Sequence, residues 1–227
     1  MKNTLYLILI LLVTTSCNSQ VNLKEFYYPF SDKIETKIYK YVDKNDSEKI
    51  EYWKVTTNPK TKEINTVSYD SDFNIYNTFD EIVTENGAEL IRYADYEKNA
   101  FGKTVPINAE IVNKDVFKWN GDKEYSYSVK YRNQYGRMEF LKKRTELGFE
   151  KIIVNGKEYE TIKFKGDYFI KAIDQNDSYG FYQYSFYAKD IGMVKYERHI
   201  PNKVIELELS ELLTESDFHK LREKASR

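Results

Sequence analysis

The sequence predicts a mainly β protein, an antiparallel arrangement of strands that ends in one short helix. Three observations carry this expectation. Aromatic residues make up 16% of the 227-residue chain, with 21 Tyr and 13 Phe, and such side chains suit a pleated, half-buried surface. Turn signals recur at short intervals: Asn86-Gly87, Asn120-Gly121-Asp122, Tyr135-Gly136 and Asn155-Gly156. Apolar and polar residues alternate with period two, most clearly where Ile205, Leu207 and Leu209 interleave with Glu206, Glu208 and Ser210. Long alternating runs joined by tight turns make an antiparallel meander.

The composition removes several function classes. With 35 basic and 36 acidic residues the formal net charge is −1, so no basic excess points to a nucleic-acid partner. A single Cys forms no internal disulfide, and two His give little basis for a His-based metal site. Nine Gly and four Pro in a chain that is 41% hydrophobic fit neither a collagen-like nor a disordered protein.

Taken in order, the chain opens with an export signal. Lys2 supplies a positive start, and the apolar run Leu5 to Val13 ends at the small residues Thr14, Thr15 and Ser16. Counting Thr4, that run would be about 15 Å long as a helix, too short for a hydrocarbon core of about 30 Å. The only Cys of the chain, Cys17, follows directly. Placed there, Thr14-Thr15-Ser16-Cys17 resembles the lipobox of bacterial lipoproteins. The resemblance implies cleavage before Cys17, a diacylglyceryl group on its sulfur and acylation (palmitate-type) of the new amino group. Thr14 departs from the Leu that family prefers at that position. The alternative is an ordinary secretory signal with an incidental Cys. Residues 1–16 are thus expected as signal peptide and 17–25 as a lipidated tether, which leaves 26–227 as one antiparallel β domain. The mature side-chain balance is 34 minus 36, or −2. Eight extended residues from Asn18 to Glu25 would reach roughly 26 Å, keeping the domain near its membrane.

Within the domain, Asn86-Gly87 joins Thr78–Val83 to Glu89–Tyr93, and Asn155-Gly156 joins Phe149–Val154 to Lys157–Glu160. Both are expected as two-residue turns of the primed type, which need positive φ. The stretch 101–115, broken by Gly102 and Pro106, is expected as loop with at most a short strand. Ile162 and Phe164 share a parity that Tyr159 lacks, which suggests a β-bulge near 160–162. Tyr182, Tyr184 and Phe186 alternate with Gln183 and Ser185, predicting aromatics inward and polar residues outward. The tail reads as helix, with Thr214 or Ser216 as cap, Asp217 in the first turn, and Phe218 and Leu221 on one face.

The sites that chemistry would need are sparse. His199 is expected just before a turn at Ile200-Pro201-Asn202-Lys203 and His219 on the terminal helix, both as solvated residues near element ends, and no nucleophile elbow, phosphate loop or dinucleotide fingerprint accompanies them. Asp70, Asp72 and Asn74 with Glu81 imitate calcium-loop spacing, but Ile75 stands where the sharp turn needs Gly, so a polar reversal between strands explains them. Accordingly no catalytic residue, metal ligand or cofactor is expected. Trp53, Trp119, Tyr27, Tyr28, Tyr52, Tyr182 and Tyr184 either line a pocket or fill a core.

The stretch Tyr187-Ala188-Lys189-Asp190-Ile191-Gly192-Met193-Val194-Lys195-Tyr196-Glu197, followed by a Glu-Leu-Glu-Leu strand, resembles uncharacterised envelope lipoproteins of Gram-negative bacteria. Those are similar to the lipoprotein-localisation carrier and receptor class. The resemblance implies a single curved antiparallel sheet, or half-barrel, around an apolar cavity, and transfers no ligand-binding residue. The expectation is a non-enzymatic lipoprotein, anchored through Cys17 to the outer membrane and facing the periplasm, that binds an apolar ligand such as a lipid or assists envelope assembly with a protein partner. A glycan- or protein-binding module using exposed aromatics and a carboxylate-dependent hydrolase are the alternatives.

Overall fold

The computed structural model describes residues 22–225, so the expected signal peptide and the expected lipidation site Cys17 lie outside the described residues. The chain enters through a 3-10 turn at Leu23–Phe26. Strands β1 (Glu35–Asp43), β2 (Asp46–Asn58), β3 (Glu63–Tyr69), β4 (Ile75–Val83) and β5 (Gly87–Lys98) follow as successive hairpins. Next come β6 (Thr104–Asn108), β7 (Glu110–Lys118), β8 (Glu124–Asn133), β9 (Gly136–Val154) and β10 (Lys157–Ala172). The last strands, β11 (Asp177–Ala188), β12 (Gly192–Ile200) and β13 (Lys203–Leu213), lead into helix α1 (Glu215–Ala225).

The sheet closes on itself. β1 pairs antiparallel with β13, the first strand with the last, and β4 pairs with β5. The lower half of β5 pairs with β7 and its upper half with β6, so β6 lies on the wall as a side ribbon. The result is a 12-strand barrel, and the expected open half-barrel is corrected. Closure removes the two free edges that a half-barrel would expose.

Width explains the composition. A barrel of about eight strands is just filled by its side chains, and a wider one leaves space at its centre. Here large rings span that space. Phe117 packs against Phe164 with centroids 5.0 Å apart and against Tyr187 at 5.4 Å. Tyr39 and Tyr41 reach over β13 to donate hydrogen bonds to the Ile191 and Met193 carbonyls at 2.6 and 2.8 Å. The entering segment also plugs one end: Phe26, Tyr27 and Tyr28 are buried. Leu23–Phe26, which the sequence reading divides between tether and domain, is docked, with Glu25 paired to Lys189 at 2.6 Å.

Several local expectations change. Asn155-Gly156 is a primed turn, with φ of 48° and 77°. At Asn86-Gly87 the reversal is in place, but neither residue has positive φ. Thr84 organises it instead, its hydroxyl accepting from the backbone N–H groups of Asn86 and Gly87. Glycine is needed at 87 for space, since a Cβ there would sit 2.1 Å from the Phe117 carbonyl oxygen. Gly87→Ala is therefore expected to cost about 1–3 kcal/mol through overpacking of backbone on backbone. Gly156→Val is expected to cost a similar 1–3 kcal/mol through backbone strain alone, because nothing lies within 4 Å of its Cβ position. Urea midpoints check both, and Gly156→Ala, which keeps the strain without the branch, should retain most of the second loss.

The expected loop at 101–115 holds β6 and most of β7. The bulge expected near 160–162 lies on the partner strand, where Leu147 is the extra residue between Glu146 and Gly148 opposite Phe164 and Lys163. A second shift falls in β12 opposite Phe186 and Tyr187 and leaves Val194 as the extra residue between Met193 and Lys195. The tail helix is capped as expected: the Thr214 hydroxyl accepts from the Asp217 N–H and donates to its carboxylate. Phe218 seats it against Tyr52, Tyr69 and Phe73.

Candidate functional site: a charged cavity in the barrel lumen

Above the plug the lumen holds a partly open cavity of about 290 Å³. Its floor is Tyr27, Tyr28, Glu81, Arg144 and Tyr187, all buried. Towards the other end Tyr76, Tyr93, Phe140, Tyr168, Phe181 and Arg198 form the wall and are half-buried. Trp53 stands in the wall from β2, stacked on Tyr196 at 5.8 Å. Strand alternation places these side chains: 140, 142 and 144 of β9 point inward together, as do 181, 183, 185 and 187 of β11.

That register corrects the expectation for β11. Gln183 and Ser185 are the inward residues, 4% and 3% exposed, and Gln183 lines the cavity. Tyr182 and Tyr184 sit on the opposite, outer face, where Lys163 and Lys165 cover their rings and Tyr182 stacks on His199 at 4.4 Å. Inward polarity is tolerable because the lumen is not a dry core. His199 lies near the end of β12, just before the turn into β13, as expected, and His219 is exposed on α1. Of the aromatics singled out from sequence, Trp53, Tyr27 and Tyr28 line the cavity. Trp119 instead holds the β4–β5 reversal, donating from Nε1 to the Glu85 carbonyl at 2.8 Å, and Tyr52 packs under α1.

The charged residues of the lumen carry its chemistry, and of them only Glu81 was weighed from sequence, as part of the calcium-like run. Glu81, 1% exposed, accepts a hydrogen bond from the Tyr27 hydroxyl. Burial pushes its carboxyl up to about 7, against the opposing pull of Tyr27, Arg144 and Lys142. Arg144, 4% exposed, donates to the Val116 carbonyl at 3.0 Å and the Tyr187 hydroxyl at 3.2 Å, and its guanidinium lies 5.5 Å from the rings of Phe164 and Tyr187. Lys142, 8% exposed, rests over Tyr168 at 4.7 Å. Burial, reinforced by Arg144 and Arg198, holds the Lys142 ammonium well below the usual lysine range, with Glu81 pulling the other way. Arg198 donates to Gln183 at 3.3 Å and stands 4.0 Å from Glu51. Glu51 in turn accepts from Tyr76 at 2.7 Å and from the Trp53 indole at 3.2 Å.

Glu81 is the twelfth position of the calcium-like run, yet it faces the lumen and not the Asp70 reversal. Asp70 itself holds that reversal, accepting from the backbone N–H groups of Asp72 and Asn74. Glu81 is also the single carboxylate among the described cavity-lining residues, with Glu51 bonded to the wall at Tyr76 and Trp53. The only sequence signal for this site was the parity of the strands. Lys142 and Arg144 fall at alternate positions of a long strand, which reads equally well as a solvated face.

Fold and lumen together define a wide, closed antiparallel barrel with an aromatic-walled, positively charged cavity and one plugged end. No protein-family model matches the chain, and no curated protein sequence matches it. Among solved structures it is similar to a candidate exported protein with YmcC-like fold from Bacteroides fragilis, at a TM-score of 0.50 and 14% identity, over 83% of this chain and 99% of that one. A candidate lipoprotein from Parabacteroides distasonis gives a TM-score of 0.48 and 16% identity, over 83% and 98%. The first likeness shows that the YmcC-like fold is shared.

Proposed function

We propose that the chain is an exported envelope lipoprotein, acylated at Cys17, whose barrel lumen binds a small ligand with an apolar body. The observation that carries this reading is the aromatic-walled cavity of about 290 Å³, near the lower size of small-molecule sites. At about 30 Å³ per water-sized volume it has room for roughly ten non-hydrogen atoms. That favours a short-chain or single-ring compound over a phospholipid. The exported protein that shares the fold supports the envelope location, as the lipobox-like Thr14–Cys17 does. The outer wall supports anchoring by lipid rather than by the barrel. It carries cross-strand ion pairs such as Lys163–Glu150 and Lys130–Glu139, where a membrane-spanning barrel needs an apolar band.

Two measurements test the proposal. Cys17→Ser is expected to move the protein from the membrane to the soluble fraction, and wild-type protein to carry acyl mass on its N-terminal peptide. Unchanged partition with no acyl mass overturns the lipoprotein reading. The soluble variant is expected to show a saturable change in Trp fluorescence with small uncharged aromatic alcohols, reported by Trp53 in the wall. No saturation with such alcohols or with their carboxylate and amine counterparts overturns lumen binding.

A further inference from the structure

We propose that the ligand of the lumen carries an anionic head group, which Lys142 contacts directly inside a field set by Arg144 and Arg198. The inference rests on the lumen-binding reading and names the chemical class of its ligand.

The charges of the cavity are unbalanced. Three basic side chains line it, Lys142, Arg144 and Arg198, against one lining carboxyl, Glu81, with Glu51 behind the wall 4.0 Å from Arg198. Burial raises that carboxyl to about 7 and lowers the Lys142 ammonium, so the cavity holds neither charge in full until a partner enters, and an anion beside Lys142 would restore its proton. Elsewhere the barrel pairs its sheltered cations: Lys195, whose side chain is 13% exposed, lies 2.9 Å from Glu197 and 2.5 Å from Glu206. Lys142 has no such partner. Among the described residues its ammonium makes no ion pair and no hydrogen bond, and it meets only the faces of Tyr168 and Tyr127, at 4.7 and 5.9 Å.

The three cations also differ in what they are free to do. Arg144 is engaged by the Val116 carbonyl and the Tyr187 hydroxyl, and Arg198 by Gln183 and Glu51. They are held in place and act at a distance. Lys142 keeps its donors for something else and borders the cavity. A buried ammonium costs stability unless paired, and Met would fill the same space without that cost. Between low-dielectric aromatic walls, fixed positive charge favours an anion more than it would in bulk water. The aromatic wall from Trp53, Phe140, Tyr168 and Phe181 suits a ring or short chain behind the head group. A small amphiphilic anion, a carboxylate on an aromatic or short aliphatic body, fits both halves.

The test uses the full chain carrying Cys17→Ser and three probes of one shape: 3-phenylpropionate, 3-phenylpropan-1-ol and 3-phenylpropylamine, each titrated against Trp fluorescence. The carboxylate is expected to bind at least 10-fold more tightly than the alcohol, and the amine more weakly than either. Lys142→Met is expected to lower carboxylate affinity at least 10-fold and leave the alcohol unchanged, while Lys142→Arg retains the preference. Lys142→Met is also expected to unfold at higher urea concentration, so lost binding is not lost folding. Equal affinity for carboxylate and alcohol, or carboxylate binding untouched by Lys142→Met, overturns the anionic head group and leaves lumen binding standing. Binding of none of the three probes overturns lumen binding itself, and the inference with it.

Discussion

Tyr27→Ala is expected to destabilise the barrel by about 3–5 kcal/mol, the range for truncating a buried aromatic side chain. Tyr27 is 4% exposed, and its ring lies 4.5 Å from Phe117, 5.1 Å from Tyr28 and 6.1 Å from Tyr187. Truncation would open the plugged end and leave Glu81 without the hydroxyl that donates to it. Tyr27→Phe separates the two contributions. It keeps the ring and is expected to cost about 1–3 kcal/mol, the loss from leaving a buried polar group unpartnered. Urea unfolding at unchanged m-value measures both. A loss below about 1 kcal/mol for Tyr27→Ala would mean that the entering segment does not plug the barrel in solution.

Glu81 is expected to make the barrel lose stability as pH rises from about 4.5 to about 7. Its carboxyl titrates near 4.5 in the unfolded chain and, raised by burial, near 7 in the folded one. Between those values the folded state holds a proton that the unfolded state has released, so increasing pH favours unfolding. The full difference of about 2.5 pK units corresponds to roughly 3 kcal/mol, complete above the folded value and absent below the unfolded one. Glu81→Gln keeps an acceptor for Tyr27 and removes the titration. The wild type is therefore expected to fall relative to Glu81→Gln across that window and to run parallel to it above pH 7. Parallel curves from pH 4 to 8 would show that Glu81 does not carry this linkage.

Much of the wall was legible residue by residue. The alternation of Ile205, Leu207 and Leu209 specifies a half-buried strand wherever it packs, and Asn155-Gly156 specifies a primed turn through the φ values these two residues tolerate cheaply. Thr214 and Asp217 specify a helix start through hydrogen bonds that span three residues. Each of these is a local arrangement whose energetics lie within one element or one hairpin. The Asn86-Gly87 reversal shows where locality ends. Its position is visible in sequence, but Gly87 is required by the carbonyl of Phe117, thirty positions away.

The site was almost illegible for the same reason. A strand with period-two polarity reads as apolar inside and polar outside, and Tyr182-Gln183-Tyr184-Ser185 follows that pattern. The barrel reverses it, because a lumen wider than its side chains can fill accepts polar groups, while the outer rings are covered by lysines. Lys142 and Arg144 belong to the same reversal. Nothing in their neighbourhood along the chain separates a cation that lines a cavity from one that faces water.

By itself, then, the sequence determined a β meander of hairpins, its capped tail helix and the abundance of rings that a wide wall requires, since all of these follow from residue conformation and pairwise periodicity. Only the tertiary structure decided that the meander closes, because closure rests on one pairing between β1 and β13, the two strands farthest apart in the chain, and no local preference encodes it. That pairing turns one face of every strand into the wall of a common lumen. It is what brings Glu81, Lys142, Arg144 and Arg198 together from β4, β9 and β12 around one cavity.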